Sequence, residues 1–303
     1  MVEKLLDSED GRMTNMGDGI DDPGTTGRFS AVTVESKDGT LTALARPGQG
    51  VPIVIVHGVI ADAFAWKQVA RKIAPERPVF VLNRRGRIPS APLSEGYGVE
   101  TEVQDLLRWL STLEGPVDLV GHSYGGLIAV QAIRQGANIR SLVLYEPVAH
   151  PFGLGALPLV AAAISAGDLD AAVEIINVDL SGYTQAHVQT LRASPAWPRL
   201  MQLTEPAGAE LQAINQFVLT VPQSWTTPTT LIAGELSRNR PPYGPSVDMF
   251  RETLDVESVT ILAGQDHLAH VTAPQELAHA INEGICDWTV TGTSYQPITL
   301  TGY

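Results

Sequence analysis

The sequence predicts an α/β fold: a mostly parallel eight-stranded sheet with helices on both faces and a helical cap inserted late in the chain. Three observations carry that expectation. Short, continuous apolar runs recur and end at polar or glycine-rich junctions, as strands buried on both faces do. Patterns with apolar residues at helical spacing lie between the runs, which is how a parallel sheet acquires its two helical layers. One long stretch, from His150 to about Ser224, carries helical patterns and no strand that stands out.

Taken in order, residues 1–28 are rich in Asp, Gly, Thr and Met without apolar periodicity, and read as a flexible arm. Phe29 to Val34 alternates as a strand, Lys37-Asp38-Gly39 supplies a turn, and Leu41 to Ala45 returns as its partner. Six buried-strand runs follow: Ile53–Val56, Val79–Leu82, Val117–Val120, Ser141–Tyr145, Thr230–Ala233 and Val259–Ala263. Val103, Leu106, Leu107, Leu110 and Leu113 mark a helix that Gly115-Pro116 stops. Leu127 to Arg134 is apolar nearly all round and predicts a buried helix closed by Gly136. Pro274 to Ile281 predicts a last helix, with proline near its N-terminus. Within the insertion, Leu157–Ala166, Leu169–Val178 and Glu210–Phe217 read as helices. The expected organisation is a core of residues 29–149 and 226–286, a cap of 150–225, and a Thr-rich tail of 287–303 that is either an extra strand or a docking segment.

Composition narrows the function classes. With 303 residues and 44% hydrophobic content, the chain can bury a sizeable core. A net charge of −13 makes nucleic acid and anionic membrane surfaces poor partners, because phosphate binding needs clustered cations. The compact basic stretch Arg84-Arg85-Gly86-Arg87 reads as a turn after a strand. No apolar run approaches the roughly 18 residues of a membrane span, and the start lacks a secretory apolar region. A single cysteine, Cys286, excludes an intramolecular disulfide framework. A cytoplasmic, bacterial-type enzyme is the plain expectation, and the sequence leaves a homo-oligomer open.

The chemistry centres on Gly121-His122-Ser123-Tyr124-Gly125, a G-x-S-x-G string between a strand and a buried helix. The string alone is weak, but a nucleophile elbow needs that strand–turn–helix context. The glycines allow close approach, and the helix N-terminus aims the Tyr124 N–H at a developing oxyanion. A serine needs a base and an orienting acid. His267 follows the last core strand and precedes the last helix, where a base belongs; His270, three residues on, is the alternative, and His279 reads as surface. For the acid, Glu146 closes the strand after the nucleophile and is favoured over Glu235 in the turn Gly234-Glu235-Leu236-Ser237. Asp266 ranks last, since neighbouring residues point apart. His57-Gly58-Val59 supplies the second oxyanion amide from Val59, with His57 hydrogen-bonding the loop backbone.

Together, His57-Gly58, the elbow around Ser123, Gly264 to His267 and the place of the insertion resemble the α/β-hydrolase fold family. Asn83-Arg84-Arg85-Gly86-Arg87 and Leu144-Tyr145-Glu146-Pro147 resemble, more narrowly, a group of small bacterial members mostly of unassigned substrate. The resemblance covers about residues 30–285. It implies that the turn after the penultimate strand carries an aspartate at its fourth position, where this chain has Ser237. An acid placed like Glu146 also occurs in some haloalkane dehalogenases, but their aspartate nucleophile is replaced here by Ser123, as is that of the related epoxide hydrolases. Asn83 stands where an aspartate is common, and Ile88-Pro89 replaces a glycine.

The expected enzyme is a serine esterase or lactonase acting on a small hydrophobic substrate, without cofactor or metal, through Ser123, His267 and Glu146. Phe64, Trp66, Phe152, Trp197, Phe217 and Trp225 are the candidate pocket aromatics, each equally compatible with plain packing. Two other readings stay open: a lyase or cyclase on the same triad, and a ligand-binding protein that has lost turnover, for which Ser237 is the sequence support.

Overall fold

In the computed structural model, residues 28–220 and 225–285 are described. Most of the expected N-terminal arm, residues 221–224, Cys286 and the tail 287–303 lie outside them. All eight expected strands form one sheet in the order β1-β2-β4-β3-β5-β6-β7-β8. These are β1 (Ser30–Ser36), β2 (Gly39–Arg46), β3 (Ile53–Val56), β4 (Val79–Asn83), β5 (Val117–His122), β6 (Ile139–Tyr145), β7 (Thr229–Gly234) and β8 (Val259–Leu262). The β1–β2 hairpin and the β2–β4 pair are antiparallel; every pair from β4 through β8 is parallel. Parallel pairing brings the loops after β3, β4, β5, β6, β7 and β8 to one edge of the sheet, where ligands of open α/β sheets bind.

The helices are α1 (Lys67–Lys72), α2 (Val99–Leu110), α3 (Tyr124–Arg134), α4 (Leu157–Ser165), α5 (Leu169–Ile175), α6 (Gln185–Arg192), α7 (Trp197–Thr204), α8 (Ala207–Gln216), α9 (Glu235–Arg238), α10 (Tyr243–Thr253), α11 (Ala269–Thr272) and α12 (Pro274–Gly284). One face of the sheet buries Val54, Val56, Leu119 and Leu142 against α2, α3 and α10. The other buries Ile53, Ile55, Val120 and Val143 against α1 and α12. Because both faces are covered, the central strands read as continuous apolar runs.

Between β6 and β7 lie α4 to α8 and no strand among the described residues. The helix expected over Leu169–Val178 stops at Ile175 and continues as a π turn, Ile176–Leu180. The helices α6 and α7 were not anticipated; α6 buries only Val188 and Leu191, too few positions to set a period.

Close packing of α3 against the sheet rests on glycine. A Cβ at Gly125 would stand 2.1 Å from the Val56 carbonyl oxygen, and one at Gly121 would meet the Gly126 Cα at 2.7 Å. Gly125→Ala is therefore expected to destabilise the fold by about 3 kcal/mol or more through overpacking against rigid backbone. Gly155→Ala, where nothing lies within 4 Å of the added carbon, is its control. Chemical denaturation of the two variants checks this, and equal midpoints would contradict it.

Candidate active site

Ser123 ends β5 and immediately precedes α3, with φ 55 and ψ −123. A non-glycine residue there bears about 1–3 kcal/mol of strain, and the surroundings over-determine it. The Ser123 N–H donates to the Tyr145 carbonyl at 3.1 Å, while its own carbonyl accepts from Gly126 at 2.9 Å and Val148 at 3.2 Å. Gly58 packs so close that a Cβ on it would lie 2.6 Å from the Ser123 Cβ. The next N–H, that of Tyr124, is the first of α3 and has no acceptor within its own helix.

Glu146 follows β6, also at positive φ (41°), with its side chain 1% exposed. Its Oε2 accepts from His267 Nδ1 at 2.7 Å, and its Oε1 accepts from the Gly234 N–H at 2.7 Å and from the Ser237 hydroxyl. Since a carboxylate only accepts, His267 carries its proton on Nδ1, which leaves Nε2 as the nitrogen available to a nucleophile. Ser237 therefore occupies the family's aspartate position as a donor to a carboxylate delivered from the neighbouring strand. Glu235, the alternative acid, turns away and accepts from the Gly264 N–H at 2.8 Å. Asp266 accepts from the Leu268 N–H at 2.9 Å.

The His267 ring is covered on both sides. Tyr243, from α10, stacks on it with centroids 4.0 Å apart, and His122 lies 4.5 Å away at 36°. The His122 Nε2–H donates to the His267 carbonyl at 3.2 Å, while its Nδ1 is buried without a partner. Burial, with His267 and His270 beside it, holds His122 well below the usual histidine range, so no second cation forms against the base. His270, on α11, stacks on Trp66 at 5.2 Å and is pushed down to about 3 by burial and then by His267. His57 bonds the Gly58 carbonyl through Nδ1 at 2.9 Å, as expected, and burial, then Arg84 and Arg87, lower it strongly. His279 is exposed on α12.

The pocket aromatics divide. Phe152 meets Tyr243 edge-on at 5.7 Å and thereby joins the wall beside His267. Phe217 and Trp225 pack, half-buried, against the main core. The other three stand apart from that wall. Trp66 is fully buried against α1 and His270, because α1 needs its bulk to cover the far face of the sheet. Trp197 fills the insertion's own cluster with Val173, Val188 and Leu191, and its indole N–H donates to Asp170 at 2.8 Å. Phe64 is 47% exposed, with the Lys67 ammonium 5.9 Å from its ring.

Sequence reasoning missed Tyr243, whose hydroxyl bonds the Ser181 hydroxyl at the end of the π turn at 2.9 Å. It also read Arg84 to Arg87 as an ordinary turn. It is a turn, but Arg84, Arg85 and Arg87 are 4%, 1% and 1% exposed, each on a carboxylate: Glu102, Asp105 and Glu210. Three arginines directly after an apolar strand at the loop-bearing edge were the available signal. Among the described residues, no group of three or more His, Cys, Asp or Glu is placed to hold a metal, and no helix is long and apolar enough to cross a membrane.

Residues 53–280 match the family model described as the alpha/beta hydrolase family. N-formylmaleamate deformylase of Pseudomonas putida is 31% identical over 114 residues, 37% of this chain and 42% of the relative. The (E)-2-((N-methylformamido)methylene)succinate hydrolase of Acinetobacter baylyi is 35% identical over 86 residues, 27% of this chain and 31% of the relative. The chain thus spans less than half the length of these curated relatives. Among solved structures, an alpha/beta hydrolase from Sphaerobacter thermophilus superposes with a TM-score of 0.69 at 23% identity, covering 84% of this chain and 100% of that one.

Proposed function

The chain belongs to the α/β hydrolase family, and from that premise we propose a serine hydrolase that cleaves an ester or lactone of a small hydrophobic substrate through an acyl-enzyme. One observation carries the reading: the Glu146–His267 contact of 2.7 Å at the edge where Ser123 sits in its strained turn. His267 Nε2 takes the Ser123 proton as Oγ attacks the carbonyl carbon. Glu146 holds the Nδ1–H tautomer and offsets the imidazolium charge. The Val59 and Tyr124 amides receive the oxyanion, and His267 then returns the proton to the leaving alkoxide. Water, activated by the same imidazole, releases the acid.

The helical insertion acts as the cap. Phe152 and Tyr243 give the wall beside the base its apolar character, which suits a hydrophobic acyl or alkyl group. A second reading has specific support: the names of two partial relatives carry a formyl or formamido group, and the same steps cleave an activated C–N bond.

The test is intact mass after fluorophosphonate treatment, followed by turnover of p-nitrophenyl esters, lactones and N-formyl amides. A single adduct on wild type, none on Ser123→Ala, and a loss of about 10⁴-fold or more in kcat for that variant are expected. An unlabelled wild type, or an adduct that survives Ser123→Ala, overturns the reading. Incorporation of ¹⁸O from water into the product separates hydrolysis from lyase or cyclase chemistry.

A further inference from the structure

The two amides assigned to the oxyanion lie on different segments, and one buried guanidinium bonds the peptide that carries the first and covers the side-chain ring of the residue that carries the second. Arg84 donates from Nε to the His57 carbonyl at 3.0 Å and from Nη2 to the Gly58 carbonyl at 2.9 Å. Its guanidinium also lies over the Tyr124 ring, 4.9 Å from the centroid. The Gly58 carbonyl and the Val59 N–H belong to one planar trans peptide and point in opposite directions. Holding the carbonyl on Arg84 therefore aims the Val59 N–H away from Arg84, while Gly58 itself packs against Ser123. Arg87 grips the far end of the same loop, donating from Nε to the Ala61 carbonyl at 3.1 Å.

Both arginines converge on one residue of the insertion. Glu210, on α8 and fully buried, forms an ion pair with Arg84 Nη2 at 2.6 Å and accepts from both terminal nitrogens of Arg87 at 2.5 and 2.8 Å. Glu102, on α2, pairs with Arg84 at 2.6 Å and accepts from the Tyr97 hydroxyl at 2.7 Å. Burial alone would lower Arg84, but Glu102 and Glu210 more than offset it and keep it cationic. A buried ion-pair network is poor value for stability beside apolar packing of equal volume. What its planar forks supply is fixed geometry.

We propose that Arg84 and Arg87 are positioning residues that set the Val59 and Tyr124 amides for the oxyanion, and that Glu210 makes this setting depend on seating of the helical insertion. The inference rests on the serine-hydrolase reading. Lysine at position 84 keeps the charge for Glu102 and Glu210 but cannot hold two consecutive carbonyls in one plane.

The test compares inhibition by an aryl trifluoromethyl ketone, whose hemiketal places an oxyanion between the amides, with inhibition by its methyl ketone counterpart, which binds as the neutral ketone. Arg84→Lys is expected to weaken the trifluoromethyl ketone, and to lower kcat, by about 10²-fold, the size of effect that a misplaced catalytic group produces. The methyl ketone and KM stay within about 3-fold, because ground-state binding does not use the amides. Glu210→Gln, nearly isosteric, shifts the trifluoromethyl ketone the same way by about 10-fold, and it carries the test if Arg84→Lys fails to fold. Equal changes for both ketones, or no change, overturn the positioning role; if Ser123→Ala still abolishes the wild-type preference, the serine reading stands. A wild type with no preference for the trifluoromethyl ketone overturns both.

Discussion

Glu146→Gln is expected to lower kcat by about 10⁴-fold on any substrate the enzyme turns over, as loss of an orienting carboxylate does in serine triads. The glutamine oxygen can still accept from the Gly234 N–H and the Ser237 hydroxyl, which directs its NH₂ at His267. The imidazole must then present its lone pair at Nδ1 and its proton at Nε2, the wrong tautomer to accept from Ser123. Ser237→Ala removes one donor from a buried carboxylate and keeps the other, so a loss of about 10-fold is expected. Glu235→Gln, whose oxygen still accepts from Gly264 on an exposed turn, should stay within about 3-fold of wild type. Steady-state kinetics on the three variants checks the ordering. Retention of a tenth of the activity in Glu146→Gln, or an equal loss in Glu235→Gln, removes Glu146 from the mechanism.

The second large effect is on acid stability. His57, His122 and His270 are buried and held below the ordinary histidine pKa. Near neutrality each is uncharged in both the folded and unfolded states and contributes nothing to the pH dependence. As pH falls through the unfolded value, near 6.5, the unfolded chain takes up protons that the folded one refuses. Stability is therefore retained above that pH and lost below it, by up to about 1.4 kcal/mol per pH unit for each histidine. All three act in the same direction, so the unfolding free energy falls between pH 7 and pH 5. His270→Phe keeps a ring against Trp66 and should remove about a third of that slope. Urea denaturation across the pH range measures it, and an unchanged slope in His270→Phe would show that His270 is not one of the proton sinks.

Strands were legible in the sequence because double-sided burial writes itself as unbroken apolar runs, such as Ile53–Val56 and Thr230–Ala233. Ser123, Glu146 and His267, the residues the proposed mechanism uses, stood out in the sequence because each lies just beyond such a run. The Arg84–Glu210 contact was not, because its partners stand far apart in the chain and neither residue betrays burial by its type. Tyr243 was hidden for a related reason: its place beside His267 depends on how α10, which lies between β7 and β8 in the chain, packs, and periodicity does not encode that. Ser237 was visible as a departure from the family, but its meaning needed the geometry of Glu146. The pocket aromatics divide between the wall beside His267, where Phe152 stands, and other packing, because large apolar side chains serve either role and their type does not say which.

The order of strands across the sheet also governs when the molecule becomes competent. His267 lies beyond β8, the last of the described strands in chain order, whereas Ser123 and Glu146 close central strands made much earlier. Parallel pairing is non-local and slow to form, and the chain is made from its N-terminal side. Under the proposed mechanism, a nascent chain that has already built its elbow carries an unactivated serine until β8 docks and the His267 imidazole meets Glu146 across 121 positions of sequence.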